Sequence, residues 1–214
     1  MTATCATCGA SFEPPADLQQ RFPGWQPREC PDCFRGGRRR SDRTSRPRGG
    51  GGAVEEQLTL AEVLDRYDDG PDSGVFTDGS ASPNPGPGGW GAVYVVGGEV
   101  VAQAHGHEPH TTNNRMELTA ILEGIDLVPE GTPATIYSDS NLAVRTINEW
   151  AVGWEARGWK RKTGPVENLD LVKPLYGKLK QRPELELVWI RAHAGNRWNE
   201  YADSLATAYT RDEL

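Results

Sequence analysis

Long hydrophobic runs are missing from this 214-residue chain. No stretch approaches the ~18–20 uninterrupted apolar residues of a membrane-spanning helix, so a membrane role of that kind is excluded. The first thirty residues lack an apolar signal core and hold Pro14, Pro15, Arg21 and Arg28 instead. A secretory leader is therefore not expected, and a cytoplasmic location is. The closing Arg211-Asp212-Glu213-Leu214 looks like an ER-retrieval tetrapeptide, a coincidence without an entry signal. Cysteine is scarce: four residues, all within the first 33. Internal repeats are absent. What remains, 36% hydrophobic and 25% charged residues, suits a globular core with room for one domain and an appendage.

Positive charge is also scarce outside the N-terminus. The formal net charge is −7. Residues 1–52 carry nine arginines against five acids, a balance of +4; the other 162 residues keep 14 basic and 25 acidic side chains, −11. A basic arm on an acidic domain suggests an arm that touches nucleic acid. The acidic domain itself would repel phosphate unless its carboxylates hold metal ions.

Composition divides the chain into residues 1–34, 35–72 and 73–210. The first segment holds the cysteines. The second begins with seven arginines against Asp42 and a glycine run, with almost nothing to bury, and reads as an extended linker. Leu58, Leu60, Val63 and Leu64 predict a short approach helix ending near Asp69-Gly70-Pro71. The third segment alternates strand and helix signals. Val75 to Thr77 predicts a strand stopped by Asp78-Gly79, and a Pro/Gly-rich turn leads to a second strand, Trp90 to Val96. Gly97-Gly98 then reads as a hairpin into Val100 to Ala104. Leu118, Ile121, Leu122 and Ile125 form a helical stripe, as do Trp198, Tyr201, Ala202 and Leu205. Between them lie a strand at Ala134 to Tyr137, a helix capped by Ser140 and running through Trp150, a helix over 167–181, and a strand from Leu185 to Ile190. A meander followed by βα units implies an α/β fold: a mixed five-stranded sheet flanked by helices.

Four acids recur where such a sheet exposes side chains. Asp78 and Asp139 each follow a strand; Glu117 and Asp203 sit beside small residues on helices that face the sheet. Carboxylates gathered in one cleft repel one another and rise in pKa, a cost that divalent cations remove, and hard oxygen ligands favour Mg²⁺ or Mn²⁺. Taken singly, strand-end Asp residues are turn formers and helix-edge Glu residues are solvated.

The strings around these acids say more. Thr77-Asp78-Gly79-Ser80, Asn84-Pro85-Gly86-Pro87-Gly88-Gly89-Trp90-Gly91, Thr111-Thr112-Asn113-Asn114-Arg115-Met116-Glu117-Leu118 and Ser138-Asp139-Ser140 follow in order. Trp150, Trp154, Gly158-Trp159-Lys160, Asn168-Leu-Asp170, Trp189-Ile-Arg-Ala-His193-Ala-Gly195, Asn199-Glu200 and Asp203 continue the series. Together they resemble the catalytic domain of type 1 ribonuclease H, over residues ~73–209. The resemblance implies that Asp78, Glu117, Asp139 and Asp203 hold two Mg²⁺ ions and that His193 transfers a proton or assists product release. The implied reaction is endonucleolytic hydrolysis of the RNA strand of an RNA–DNA hybrid, leaving 5′-phosphate and 3′-hydroxyl ends. Asn84, Asn113 and Asn114 match minor-groove contacts, and Thr112 matches a DNA-phosphate contact. Asn141 stands where bacterial relatives often carry Gln and reaches less far. Trp150, Trp154, Trp159 and Lys160, with Arg157, Arg161 and Lys162, resemble a basic protrusion gripping the DNA strand. Trp150 is expected to pack, and Trp154 or Trp159 to be more exposed. A non-catalytic hybrid-binding protein and a different nuclease on the same fold are the alternatives.

Cys5-Ala-Thr-Cys8 and Cys30-Pro-Asp-Cys33 form two CxxC pairs. Four thiolates from two such pairs suit a closed tetrahedral Zn²⁺ site, and residues 1–34 look like a small zinc ribbon. Reduced metal-free thiols or redox-active pairs are the alternative. The ribbon and arginine linker are expected to add a nucleic-acid or protein contact.

Overall fold

The computed structural model describes residues 2–4, 10–13 and 57–211, and the chain divides into two compact units, residues 1–54 and 55–214. Of the first unit, β1 (Ala3–Thr4) and β2 (Ser11–Phe12) form an antiparallel pair. Cys5, Cys8, Cys30 and Cys33 lie outside the described residues, as does the arginine linker.

The second unit is built on a five-stranded sheet of order β5-β4-β3-β6-β9, with β3 Gly74–Ala81, β4 Gly86–Val96, β5 Glu99–Thr111, β6 Ala134–Ser138 and β9 Leu185–Trp189. The β3–β4–β5 meander is antiparallel, whereas β6 runs parallel to β3 and β9 parallel to β6. Gly97 and Gly98 close the β4–β5 hairpin at φ of 61° and 80°, backbone angles that suit glycine at both central turn positions. Strand β3 departs from expectation: it runs on through Asp78 and Gly79. Gly88 to Gly91 of β4 pair with Ala81 to Asp78, and this ladder overrides the weak strand preference of Asp and Gly. Asp78 is therefore an interior strand residue. Strand β9, by contrast, stops one residue short of Ile190.

Alternate residues of the central strands feed two cores. Val75, Tyr94 and Ile136 join Leu118, Ile121 and Ile125 of α2 (Asn113–Asp126) and Val172 and Leu175 of α5 (Leu169–Gln181). Phe76, Val93 and Val95 join Trp198, Tyr201, Ala202 and Leu205 of α6 (Arg197–Thr207), together with Val63 of α1 (Leu60–Arg66). Both helical stripes read from the sequence face the sheet; Leu122, at the margin of the first, is only half-buried. Helix α1 starts on a capping box, in which Thr59 accepts from the Glu62 amide and Glu62 accepts from the Thr59 amide. The helix expected after Ser140 is interrupted: α3 (Asn141–Arg145) passes into a π-helical turn, Thr146–Trp150, before α4 (Ala151–Glu155). A short hairpin, β7 (Lys160–Arg161) with β8 (Gly164–Pro165), leads into α5. No helix among the described residues is long and apolar enough to cross a membrane.

Candidate active site

Close helix–sheet approach brings the acids together. A Cβ at Gly79 would lie 2.2 Å from the Glu117 amide nitrogen, so only a glycine there lets the first turns of α2 rest directly on β3. On the opposite face a Cβ at Gly91 would lie 2.4 Å from the Ala202 carbonyl oxygen, which seats α6 on β4. Asp139 follows the last residue of β6, the parallel neighbour of β3. As a result, Asp78, Glu117 and Asp139 offer carboxylate oxygens that all lie within 4.8 Å of one another. Asp203 joins from α6, close enough for a side-chain hydrogen bond with Asp78.

Electrostatics mark the cluster as incomplete without a counter-charge. Burial, then the negative charges of Glu117, Asp139 and Asp203, hold the Asp78 carboxyl well above its ordinary range. Burial, then Asp139 and Asp203, does the same to Glu117. One Glu117 oxygen, Oε2, is buried and accepts no hydrogen bond. A buried carboxylate oxygen without a donor costs free energy unless a cation meets it. Oxygen ligands of this kind fit a hard divalent ion.

Around the acids stand residues that the sequence reading gave no role. Asn199, 2% exposed, donates from Nδ2 to Asp139 Oδ2 at 3.1 Å, and Trp189 Nε1 donates to the Asp139 carbonyl at 3.0 Å. Glu200 is as little exposed as Asp78, and burial raises its pKa while His193 opposes that shift. Its position one helical turn before Asp203 was the available signal. The His193 side chain is 62% exposed, at a φ of 47°, with Nδ1 3.9 Å from Glu200 Oε2. It borders the cluster on the solvent side.

The asparagines expected to meet substrate form a rigid corner beside the acids. Asn113 Oδ1 accepts from the Ala81 amide at 2.6 Å, and the Asn113 amide donates to Asn84 Oδ1 at 3.3 Å. Both side-chain oxygens are thereby occupied, and each residue keeps its NH₂ group for another acceptor. Thr112, rather than either asparagine, caps α2, accepting from the Arg115 amide. Asn114 is half-buried and its Oδ1 has no partner. Arg115 ties this corner to α5 through two bonds to Asp170, at 3.1 and 2.8 Å. Asn141 is exposed at the start of α3.

The aromatic stretch differs from expectation. Trp154 and Trp159 pack against the first core, and the Trp159 ring meets Tyr176 edge-on at 5.9 Å. Trp150, half-buried like both of them, lies under Arg145 and stands 6.2 Å from Trp154. The turn after α4 accounts for the packing of Trp159. Trp159 adopts a φ of 61° and donates its amide to the Trp154 carbonyl at 2.7 Å, folding the chain back onto α5. Lys160 is exposed on β7, and Arg161 pairs with Glu167 at 3.1 Å.

A mixed sheet in this order, with carboxylates on its central strand, after the neighbouring parallel strand and on two flanking helices, defines a ribonuclease H-like fold. A family model described as RNase H matches residues 71–211. The chain is 44% identical over 140 residues to "Ribonuclease H" of Methylorubrum extorquens, covering 65% of this chain and 60% of that relative. It is 46% identical over 133 residues to "Ribonuclease H" of Aromatoleum aromaticum, covering 62% and 86%. Among solved structures it resembles LC9-RNase H1, "a type 1 RNase H with the type 2 active-site motif", at 34% identity and a TM-score of 0.54, over 66% of this chain and 74% of that one. The chain belongs to the ribonuclease H family, and its catalytic domain is of type 1.

Proposed function

We propose that this chain hydrolyses the RNA strand of RNA–DNA hybrids as an endonuclease, leaving 5′-phosphate and 3′-hydroxyl ends. The convergence of Asp78, Glu117 and Asp139, with Asp203 beside Asp78, carries this reading. These four residues would hold two Mg²⁺ ions, with Mn²⁺ as a substitute. When bound, such a pair supplies activation of a water nucleophile and neutralisation of the leaving oxygen.

The chain's own residues do the rest. Asn199 fixes the Asp139 carboxylate. The free NH₂ groups of Asn84 and Asn113, with Asn114 and Asn141, read the minor groove, where only one strand of a hybrid carries 2′-hydroxyls. Thr112 binds a phosphate of the DNA strand. Lys160 adds salt-sensitive phosphate contacts, while the half-buried rings of Trp150, Trp154 and Trp159 shape the surface that carries it. His193, exposed at the edge of the acidic cluster, moves a proton or assists product release.

Residues 1–34 form a zinc module in which Cys5, Cys8, Cys30 and Cys33 bind one Zn²⁺, a reading that suits the reducing cytoplasm. With the +6 balance of residues 35–48, this module tethers the catalytic domain to nucleic acid. Deleting residues 1–52 should then raise KM and weaken its dependence on salt; an unchanged salt slope removes the tether.

Cutting assays on an RNA–DNA hybrid, double-stranded RNA and double-stranded DNA, each with and without Mg²⁺, test the central reading. Cleavage of the hybrid's RNA strand alone, and only with the ion, is expected. Hybrid binding without cleavage would make the chain a hybrid-binding protein, and cleavage of double-stranded DNA would make it a different nuclease.

A further inference from the structure

The segment that precedes the family-matched region grips the helix that carries part of the acidic site. The match begins at residue 71, yet residues 57–70, including α1, lie on α6. Val63 is 1% exposed in the same core as Trp198, Tyr201, Ala202 and Leu205. The Leu58 carbonyl accepts from Ser204 Oγ at 2.6 Å and also from the Arg211 guanidinium.

The other end of the segment meets the start of α6. The Tyr67 carbonyl accepts from Arg197 Nε, and the Asp69 carbonyl accepts from the Arg197 amide at 2.9 Å. Asp69 and Asn196 form a parallel β-bridge. Gly70, at a φ of 105°, passes so close that a Cβ there would lie 2.5 Å from Asn196 Nδ2. Asn196 in turn caps α6, accepting through Oδ1 from the Trp198 and Asn199 amides, both at 3.2 Å. His193 lies three residues before this cap. Asn199, which binds Asp139, lies three residues after it.

We propose that residues 57–70 act as a strap, with Arg197 as its positioning residue, that sets the His193 loop and the first turn of α6 against the acidic site. The inference rests on the hydrolytic reading above. Two carbonyls of the strap hold Arg197 by its backbone and its side chain at once, so the residue joining loop to helix cannot rotate. Its orientation fixes the cap at Asn196, and the cap fixes the amide and side chain of Asn199. The strap makes no contact with Asn84 or Asn113 among the bonds described, so its loss should act on turnover rather than on hybrid affinity.

Three full-length variants test this: Gly70→Ala crowds Asn196, Arg197→Met removes the guanidinium donor but keeps an apolar stem, and Arg197→Lys keeps a donor for Tyr67. Positioning predicts that Gly70→Ala and Arg197→Met lower kcat about tenfold with KM unchanged, since small misplacements cost rate steeply. Arg197→Lys should recover most of the loss. Backbone amides of residues 192–199 should exchange hydrogen faster in both impaired variants, without substrate present. A rise in KM at constant kcat, unaltered exchange at 192–199, or a lysine variant as slow as the methionine one would overturn the strap. Should the wild-type chain fail to cut any hybrid, the hydrolytic reading falls separately, and the exchange comparison alone then decides whether the strap holds the loop.

Discussion

Asp78 and Gly91 face each other across the β3–β4 ladder, and the bare glycine sets how closely α6 approaches the aspartate. A Cβ at position 91 would lie 2.4 Å from the Ala202 carbonyl oxygen and 2.5 Å from Leu205 Cβ. Asp203 follows Ala202 directly, so the helix–sheet gap and the Asp203–Asp78 gap are one quantity. Gly91→Ala should therefore destabilise the domain by about 1–3 kcal/mol through overpacking. Urea denaturation measures that loss, and cleavage assayed well below the new midpoint should still be reduced. Full activity in the folded variant would separate the two gaps.

Asp78→Asn replaces the one buried carboxyl of the four, the other three being half-buried. Hydrolysis should fall to background while hybrid affinity, measured by fluorescence anisotropy, stays near wild type. Because burial and three neighbouring charges oppose ionisation of Asp78, the amide should also stabilise the metal-free protein at neutral pH. Each kcal/mol relieved corresponds to about 2–4 °C in Tm for a domain of this size. A lower Tm would show that the carboxylate is not under strain.

The raised positions of Asp78 and Glu117 also set a pH dependence. A carboxyl whose folded pKa lies above its unfolded value stabilises the fold fully below the unfolded value, and this contribution is lost as pH rises through the folded one. A divalent ion needs both groups charged and releases their protons on binding. Metal-free Tm, taken as the difference between wild type and Asp78→Asn, should fall from acidic to neutral pH. The Tm gain on adding Mg²⁺ should grow over the same window. Thermal scans with and without Mg²⁺ at several pH values measure both, and a gain that does not vary with pH contradicts the account.

Asn113 serves the fold through its oxygen, and the proposed function has it meet substrate through its nitrogen. Asn113→Asp keeps the acceptor for the Ala81 amide but lacks the NH₂ group, so KM for hybrid should rise while Tm changes little. Asn113→Ala should raise KM and also cost about 1–3 kcal/mol, because the Ala81 amide loses its partner. Steady-state kinetics and denaturation of the two variants separate the roles.

Much of this site is legible in the sequence because glycines and acids alternate along it. The stripes Leu118/Ile121/Ile125 and Trp198/Tyr201/Leu205 announce which helix faces meet the sheet, and the small residues beside Glu117 and Asp203 announce a close approach. The end of β3 is hidden from the sequence because Asp78-Gly79 reads locally as a turn; only pairing with Gly91 and Trp90, more than ten residues further along the chain, keeps it extended. The packing of Trp159 is likewise hidden from the sequence, since it depends on the left-handed backbone at Trp159 and on Tyr176 of a later helix. Roles for Asn199 and Glu200 are not legible in the sequence because their neighbours Asp139 and His193 are near them only in space.

The most direct test of the central claim is anomalous diffraction from crystals of the full chain bound to an RNA–DNA hybrid in Mn²⁺. The account predicts metal peaks ligated by Asp78, Glu117, Asp139 and Asp203 beside a phosphate of the RNA strand. Ions bound elsewhere, with the Glu117 or Asp203 side chain turned away from Asp78, would contradict it.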